Sequence, residues 1–200
     1  MHILVMTRIM PGHSLGGMQK QTMDLCTGFA QSGHKVSVIT TARHDGVEFE
    51  SIDGVDIFYL SGSKPGYYSR KWNSLCRKTI AELHQKSPID VIHSQSMGAI
   101  GVLKWAKNNS VPIVSTWHGT SLTEISTFFS STSYHPRYWH WLFIMPFTLL
   151  KRYLTMDLAV RRASSKITLV SPTLEKNMKF LAGDKVITIS NGITLPTIKS

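Results

Sequence analysis

The stretch HILVMTRIMPGHSLGGMQKQTMDLCTGFAQSGHKVSVITT, residues 2–41, decides the fold. Residues 2–7 are a short apolar run that stops at a loop rich in Pro and Gly, residues 11–17. Buried parallel strands have this near-continuous apolar character because both of their faces are covered. Beyond the loop, Met18, Thr22, Leu25 and Phe29 recur at helical spacing, and Gly33 stands where a helix is expected to stop. Residues 35–41, with Val36, Val38 and Ile39, read as a second strand. Strand, glycine loop, helix and strand in this order make a βαβ unit.

The same alternation continues outward. Residues 47–52 and 55–60 flank Asp53-Gly54, a dipeptide that tolerates positive φ, and read as a β-hairpin. A Gly/Ser/Pro/Tyr loop at 61–69 leads to a helix marked by Trp72, Cys76, Ile80 and Leu83, which Pro88 ends. Residues 90–94 are a strand, 97–108 a helix carrying Ile100, Val102, Leu103 and Ala106, and 112–117 a strand that runs into His118-Gly119-Thr120. A long helix is expected over 137–162, with Pro146 as a kink or break. A strand at 166–170, a helix opening at Ser171-Pro172-Thr173 and a strand at 185–189 complete the pattern. Alternating strands and helices imply an α/β class domain, Rossmann-like, with three layers, a mostly parallel sheet and right-handed crossovers. Residues 1–189 are that domain, and 190–200 read as the start of a linker.

Composition bounds the function classes. Two hundred residues, 42% of them apolar, suffice for one domain with a core. A charged fraction of 17% and a mean hydropathy of -0.04 are those of a globular chain. Lys and Arg outnumber Asp and Glu by 22 to 12, giving a net +10 and a pI of about 9.8, which favours an anionic partner such as phosphate, nucleic acid or lipid head groups. Two cysteines, Cys26 and Cys76, exclude a disulfide framework and cannot alone form a zinc site. The opening residues lack the basic and cleavable apolar segments of a secretory leader. The longest apolar run, 138–150, contains His140 and Pro146 and is too short to span a bilayer. A soluble, basic domain of a reducing compartment is the expectation.

In an open α/β sheet, ligands bind beyond the carboxyl ends of the strands, near the point where strand order reverses. Four loops therefore matter: 8–17, 94–98, 117–121 and 171–173. Gly16-Gly17 precedes a helix N-terminus, where backbone N–H groups and the helix dipole favour an anion; equally, the pair makes the turn into the helix. It matches neither the dinucleotide G-x-G-x-x-G pattern nor a Walker loop. His118 ends an interior strand, where its imidazole either serves a sugar hydroxyl or reacting centre or is satisfied by local backbone. His93 competes with Ser94-Gln95-Ser96 for the polar role of its loop, and no histidine shows metal-ligand spacing. In residues 134–162, Trp139, Trp141, Phe143 and Phe147 stand beside Arg137, Lys151, Arg152, Arg161 and Arg162, opposed only by Asp157. Such a segment either packs on the sheet with a solvated basic face or touches an anionic membrane, for which Arg161, Arg162, Lys151 and Arg152 are the contact candidates. No nucleic-acid recognition motif is present.

Six pieces in order resemble the N-terminal domain of GT-B glycosyltransferases of the family-4 type. They are the first strand with Pro11 and Gly16-Gly17, the Gly33-His34-Lys35-Val36-Ser37-Val38 opening of strand two, and Asp90-Val91-Ile92-His93. Thr116-Trp117-His118-Gly119, Val170-Ser171-Pro172-Thr173 and Ile189-Ser190-Asn191-Gly192-Ile193 follow. Thr194 departs from the aspartate that commonly follows Asn-Gly-Ile in that family. The resemblance implies a retaining enzyme that transfers a sugar from a nucleotide-sugar donor, UDP- or GDP-type, to a glycan or lipid-linked acceptor, as in cell-envelope polysaccharide synthesis. It implies no metal and no further cofactor. It also implies a second Rossmann-like domain carrying most of the nucleotide site and an E-x7-E motif, so this chain alone is expected to be inactive.

By the same resemblance His118 is the catalytic candidate at the donor sugar. Gly16 and Gly17 face the donor phosphate and the acceptor, with Gly119, Thr120 and Ser121 as further contacts, while Asn191 and Gly192 form the hinge. The implied location is cytoplasmic, peripheral to the membrane face. The alternative is a stand-alone Rossmann-like module that docks on an anionic membrane or on a partner subunit of a split enzyme, without activity of its own.

Overall fold

A computed structural model describes residues 1–131, 139–172, 174–175 and 183–192. The helix position assigned to Thr173, the departure at Thr194 and the start of the aromatic and basic segment at 134–138 lie outside the described residues, as do the side chains of 139–143. In chain order the elements are β1 (His2–Met6), α1 (Gly17–Gln31), β2 (Lys35–Thr41), β3 (Phe49–Ile52), β4 (Val55–Leu60), α2 (Arg70–Lys86) and β5 (Val91–Gln95). Then come α3 (Leu103–Asn108), β6 (Ile113–Trp117), α4 (Ser121–Ser131), α5 (Trp139–Arg152), α6 (Leu158–Ala163), β7 (Lys166–Leu169) and β8 (Val186–Thr188).

The strands form one sheet in the order β3-β4-β2-β1-β5-β6-β7-β8, parallel except for β3 against β4. Every residue of β1 is buried, as its apolar run predicts for a central parallel strand. It pairs with β2 on one side (Met6 opposite Ile39) and with β5 on the other (Met6 opposite Ser94). Chain order reverses across β1, so the switch-point crevice opens beyond the carboxyl ends of β1 and β5.

Strand alternation sends Leu4, Met6, Ile92 and Ile113 to one face, where Trp72, Cys76 and Ile80 of α2 and Ala106 of α3 cover them. Ile3, Val5, Val36 and Val38 point to the other face, against Cys26, Met23 and Phe29 of α1. A third cluster joins Trp117, Ile167, Leu169 and Val186 to Val160 of α6. Burying each such aliphatic side chain contributes about 1.5–3 kcal/mol. Both cysteines are free and sit inside these cores.

Local chemistry sets the joints. Asp53 and Gly54 both take positive φ, 51° and 79°, which a tight hairpin needs and Asp-Gly supplies. Ser69 caps α2, its hydroxyl accepting the Trp72 N–H at 3.1 Å. The His2 ring donates from Nδ1 to the Ser87 carbonyl and accepts at Nε2 from the Ser37 hydroxyl, while the His2 N–H donates to the Asp90 carboxylate at 2.6 Å.

Three elements differ from expectation. The helix after β5 opens as a 3-10 turn at Gly98–Gly101, and α3 is only its remainder. There the chain passes over the end of β1 so closely that a Cβ on Gly98 would lie 2.0 Å from the Met6 carbonyl oxygen. In the long helical segment Pro146 sits inside α5 without ending it, and the irregularity falls later, as a π-turn at Tyr153–Asp157. Helix α4, built largely of Ser, Thr and Phe, lacks the propensity that would announce it.

Candidate active site

The crevice beyond β1, β5 and β6 is lined by Thr7 and Arg8 from the first loop, Met18 from the first turn of α1, and Tyr68. Gln95, Ser96 and Met97 after β5, then Trp117, Gly119 and Ser121 after β6, continue the wall, with Glu124 and Asp157 completing it. It encloses about 50 Å³. Three of the four loops singled out by sequence thus meet at one place, with His118 between two lining residues.

The glycine loop is anchored by a residue that sequence reading left without a role. The Met10 N–H donates to Nδ1 of His13 at 3.1 Å, and Nε2–H of His13 donates to the Thr41 carbonyl at 3.0 Å. That pair of bonds requires the neutral imidazole, and burial holds its pKa below the ordinary value. The Thr41 hydroxyl donates to the Arg8 carbonyl and accepts the Gly66 N–H, tying three loops together. Gly16 precedes α1 with extended backbone, and Gly17 is its first helical residue. No side chain among the described residues caps this helix, and its first turn holds no acid. The leading N–H groups of α1 therefore remain available to an anion. A Cβ on Gly17 would meet nothing within 4 Å. Met18, rather than either glycine, lines the crevice itself.

After β5, Ser94 is absorbed by its own loop: its hydroxyl donates to the Ser96 carbonyl and accepts the Ala99 N–H. Gln95 is the residue that faces the site, only 2% exposed. Its Oε1 lies 3.0 Å from Nε2 of His118. An amide oxygen only accepts, so His118 carries its proton on Nε2 and presents Nδ1 as the acceptor nitrogen. Burial lowers the His118 pKa, which keeps the ring neutral at pH 7. The Gln95 amide nitrogen and Nε1 of Trp117 are buried and have no hydrogen-bond partner among the described residues. Both belong to residues lining the crevice.

Ser121 lines the crevice with Thr120 beside it, and both hydroxyls are occupied within the protein. Thr120 exchanges bonds with Thr123: its N–H donates to Oγ1 of Thr123, and its own Oγ1 accepts the Thr123 N–H. Asp157, a lone acid in a basic stretch when read as sequence, is 2% exposed here and accepts from both the N–H and the hydroxyl of Ser121, at 2.8 and 3.2 Å. Burial pushes the Asp157 carboxyl up. Nε of Arg152 donates to the Ser121 hydroxyl at 2.7 Å, and its guanidinium also pairs with Glu124. Arg152, a candidate for membrane contact by sequence, is thus turned inward. Arg161 stacks on the Tyr153 ring, whereas Lys151 and Arg162 are exposed. No signal short of the fold would bring Asp157 to Ser121, 36 residues earlier.

Asn191 and Gly192 follow β8, exposed, and line a second groove of about 440 Å³ on the α1 face with Leu25, Phe29, Val91 and His93. His93 bonds through Nε2 to the Thr116 hydroxyl at 2.7 Å, and Thr116 bonds to Thr168. Burial drives the His93 pKa to about 4, so it is neutral at pH 7. Among the described residues no group of three His, Cys, Asp or Glu side chains is arranged to hold a metal ion, and no helix is long and apolar enough to cross a membrane.

A family model described as Glycosyltransferase Family 4 matches residues 15–195. No curated protein matches the sequence significantly. Sucrose-phosphate synthase from Thermosynechococcus elongatus is similar in structure at a TM-score of 0.73 with 13% identity, over 96% of this chain and 48% of that one. The catalytic domain of starch synthase IV from Arabidopsis thaliana, bound to ADP and acarbose, gives 0.58 with 16% identity over 96% and 51%. Anabaena HepE in complex with UDP and glucose gives 0.57 with 14% identity over 96% and 45%. At these identities the likeness is one of fold, and the chain spans about half the length of each.

Proposed function

The chain belongs to glycosyltransferase family 4, and we propose that it is the acceptor-side domain of a retaining hexosyltransferase. In this reading a sugar passes from a UDP- or GDP-type donor to a glycan or lipid-linked acceptor on the cytoplasmic side of a membrane. The observation that carries the proposal is one crevice, at the strand-order switch point, that joins the open first turn of α1 to the residues on either side of His118. As the glycosidic bond breaks, negative charge grows on the leaving phosphate, and a helix N-terminus free of acids stabilises it. Neutral His118, its Nε2–H held by Gln95, offers Nδ1 to a hydroxyl of the donor sugar. The nucleotides named with starch synthase IV and HepE support a nucleotide-linked donor. Base and sugar selection then fall to a second domain, so the chain alone turns over poorly or not at all.

The test is a panel of UDP- and GDP-sugars offered to the native gene product, followed by His118→Ala. Loss of a positioned group at the reacting centre should lower turnover by about 10²-fold or more, with circular dichroism unchanged. Turnover that survives the substitution would remove His118 from the site.

A further inference from the structure

Helix α5 faces two ways. Leu149 is buried and Arg152 turns inward to Ser121 and Glu124. On its other side Ile144, Phe147 and Leu150 are 55%, 72% and 42% exposed, and Leu154 in the turn that follows is 56% exposed. At about 100° per residue the first three span about 120° of the helix circumference, with exposed Lys151 inside the same arc. From residue 144 to residue 162 the sole acid is Asp157, and it is buried. Four large apolar side chains in water, beside a cation with no ion-pair partner among the described residues, on a chain of net charge +10, match a surface that is apolar within and anionic at its rim.

We propose that α5 is an interfacial anchor: Ile144, Phe147, Leu150 and Leu154 enter the head-group layer of an anionic lipid bilayer, and Lys151 pairs with its phosphates. The helix lies in the membrane plane and does not cross it. Helix α4 packs against α5, and its first residues, with Glu124 and Asp157, wall the crevice. The anchor is thereby linked through α4 to one wall of the site, and a chain so docked would meet an acceptor carried by the lipid surface. This gives the acceptor its class and rests on the transferase reading for its purpose. Vesicle binding requires no turnover, so the two can fail separately.

The experiment is co-sedimentation of the chain with vesicles of phosphatidylcholine and phosphatidylglycerol, against vesicles of phosphatidylcholine alone. Binding to the anionic vesicles is expected, weaker on pure phosphatidylcholine and weaker with added salt. Phe147→Ser should lower the affinity about tenfold, and Lys151→Glu should lower it on anionic vesicles while sparing the residual binding to phosphatidylcholine. Both positions are exposed, so the urea midpoints should stay at the wild-type value, which separates lost binding from lost fold. Wild-type chain that ignores anionic vesicles at low salt overturns the proposal, as does Phe147→Ser chain that binds like wild type. Self-association in sedimentation velocity, dissolved by Phe147→Ser and unaccompanied by vesicle binding, would make the face a contact between copies and overturn it equally.

Discussion

Gln95→Glu tests the electrostatic logic of the site at one atom. In the wild type an amide oxygen sits 3.0 Å from Nε2 of His118 and fixes the proton there without adding charge. A carboxylate in the same place leaves the geometry intact and puts a negative charge about 4 Å from the imidazolium. At an effective dielectric constant near 20 that is worth about 4 kcal/mol. Two effects reduce it: Gln95 is 2% exposed, so a carboxylate there is poorly solvated, and His118 is only half-buried, so water screens the pair. The His118 titration, depressed by burial in the wild type, should rise by about 1–3 pH units. Long-range ¹H–¹⁵N correlation spectra of histidine-labelled protein report both the tautomer and the titration, with His118→Gln identifying the signal. Gln95→Met should leave the titration depressed and release the tautomer. A wild-type ring protonated on Nδ1, or a Gln95→Glu variant in which His118 titrates no higher, would refute the assignment of Gln95 as the group that positions His118.

The two glycine classes at the switch point should separate by stability. Gly98→Ala drives a Cβ to 2.0 Å from the Met6 carbonyl oxygen, so β1 or the 3-10 turn must shift, and urea unfolding should show a loss of about 3 kcal/mol. Gly17→Ala projects into open space and should change stability by no more than about 0.5 kcal/mol, leaving any effect on anion binding to be read directly. Acid should weaken the fold through His93. Its folded pKa of about 4 lies below the unfolded 6.5, so the unfolded chain takes up the proton first. Stability is full above about pH 6.5 and declines toward pH 4, by about 3 kcal/mol from this residue. His93→Gln should flatten part of that decline in urea midpoints measured at about pH 7.5 and 4.5, while His2 and His13, also depressed by burial, keep the remainder. An unchanged slope would place the acid sensitivity elsewhere.

The sheet was legible because its determinants are local. Periodicity over a few residues sets β1, β2 and α1, a dipeptide sets the β3–β4 hairpin, and the order of elements with right-handed crossovers sets the topology. The loops that form the crevice were legible for the same reason, since a strand's carboxyl end is fixed once the strand is. What was hidden depends on distance. Gln95 reads as one polar residue among three until β6 brings His118 beside it. His13 reads as one loop histidine among many until β2 supplies the Thr41 carbonyl. Asp157 reads as a stray acid until a π-turn rotates it toward Ser121. The late start of α3 follows from the contact of Gly98 with Met6, positions far apart in the chain, and no short window on the sequence contains both.

The place of β1 at the centre of the sheet has a consequence for synthesis. Of the strands in this sheet it is made before the others, yet one of its two neighbours, β5, and the Asp90 and Ser87 groups that hold His2 are encoded some 85–90 residues later. At about 5–20 residues per second, the nascent chain carries this central strand half-paired for roughly 4–18 seconds. During that wait only the elements from β1 to α2 exist to assemble, and β1 has no partner but β2. A ribosome stalled before Val91 should thus hold a chain whose β1 is still open to ribosome-associated chaperones and to protease, and one stalled well beyond Trp117 should not.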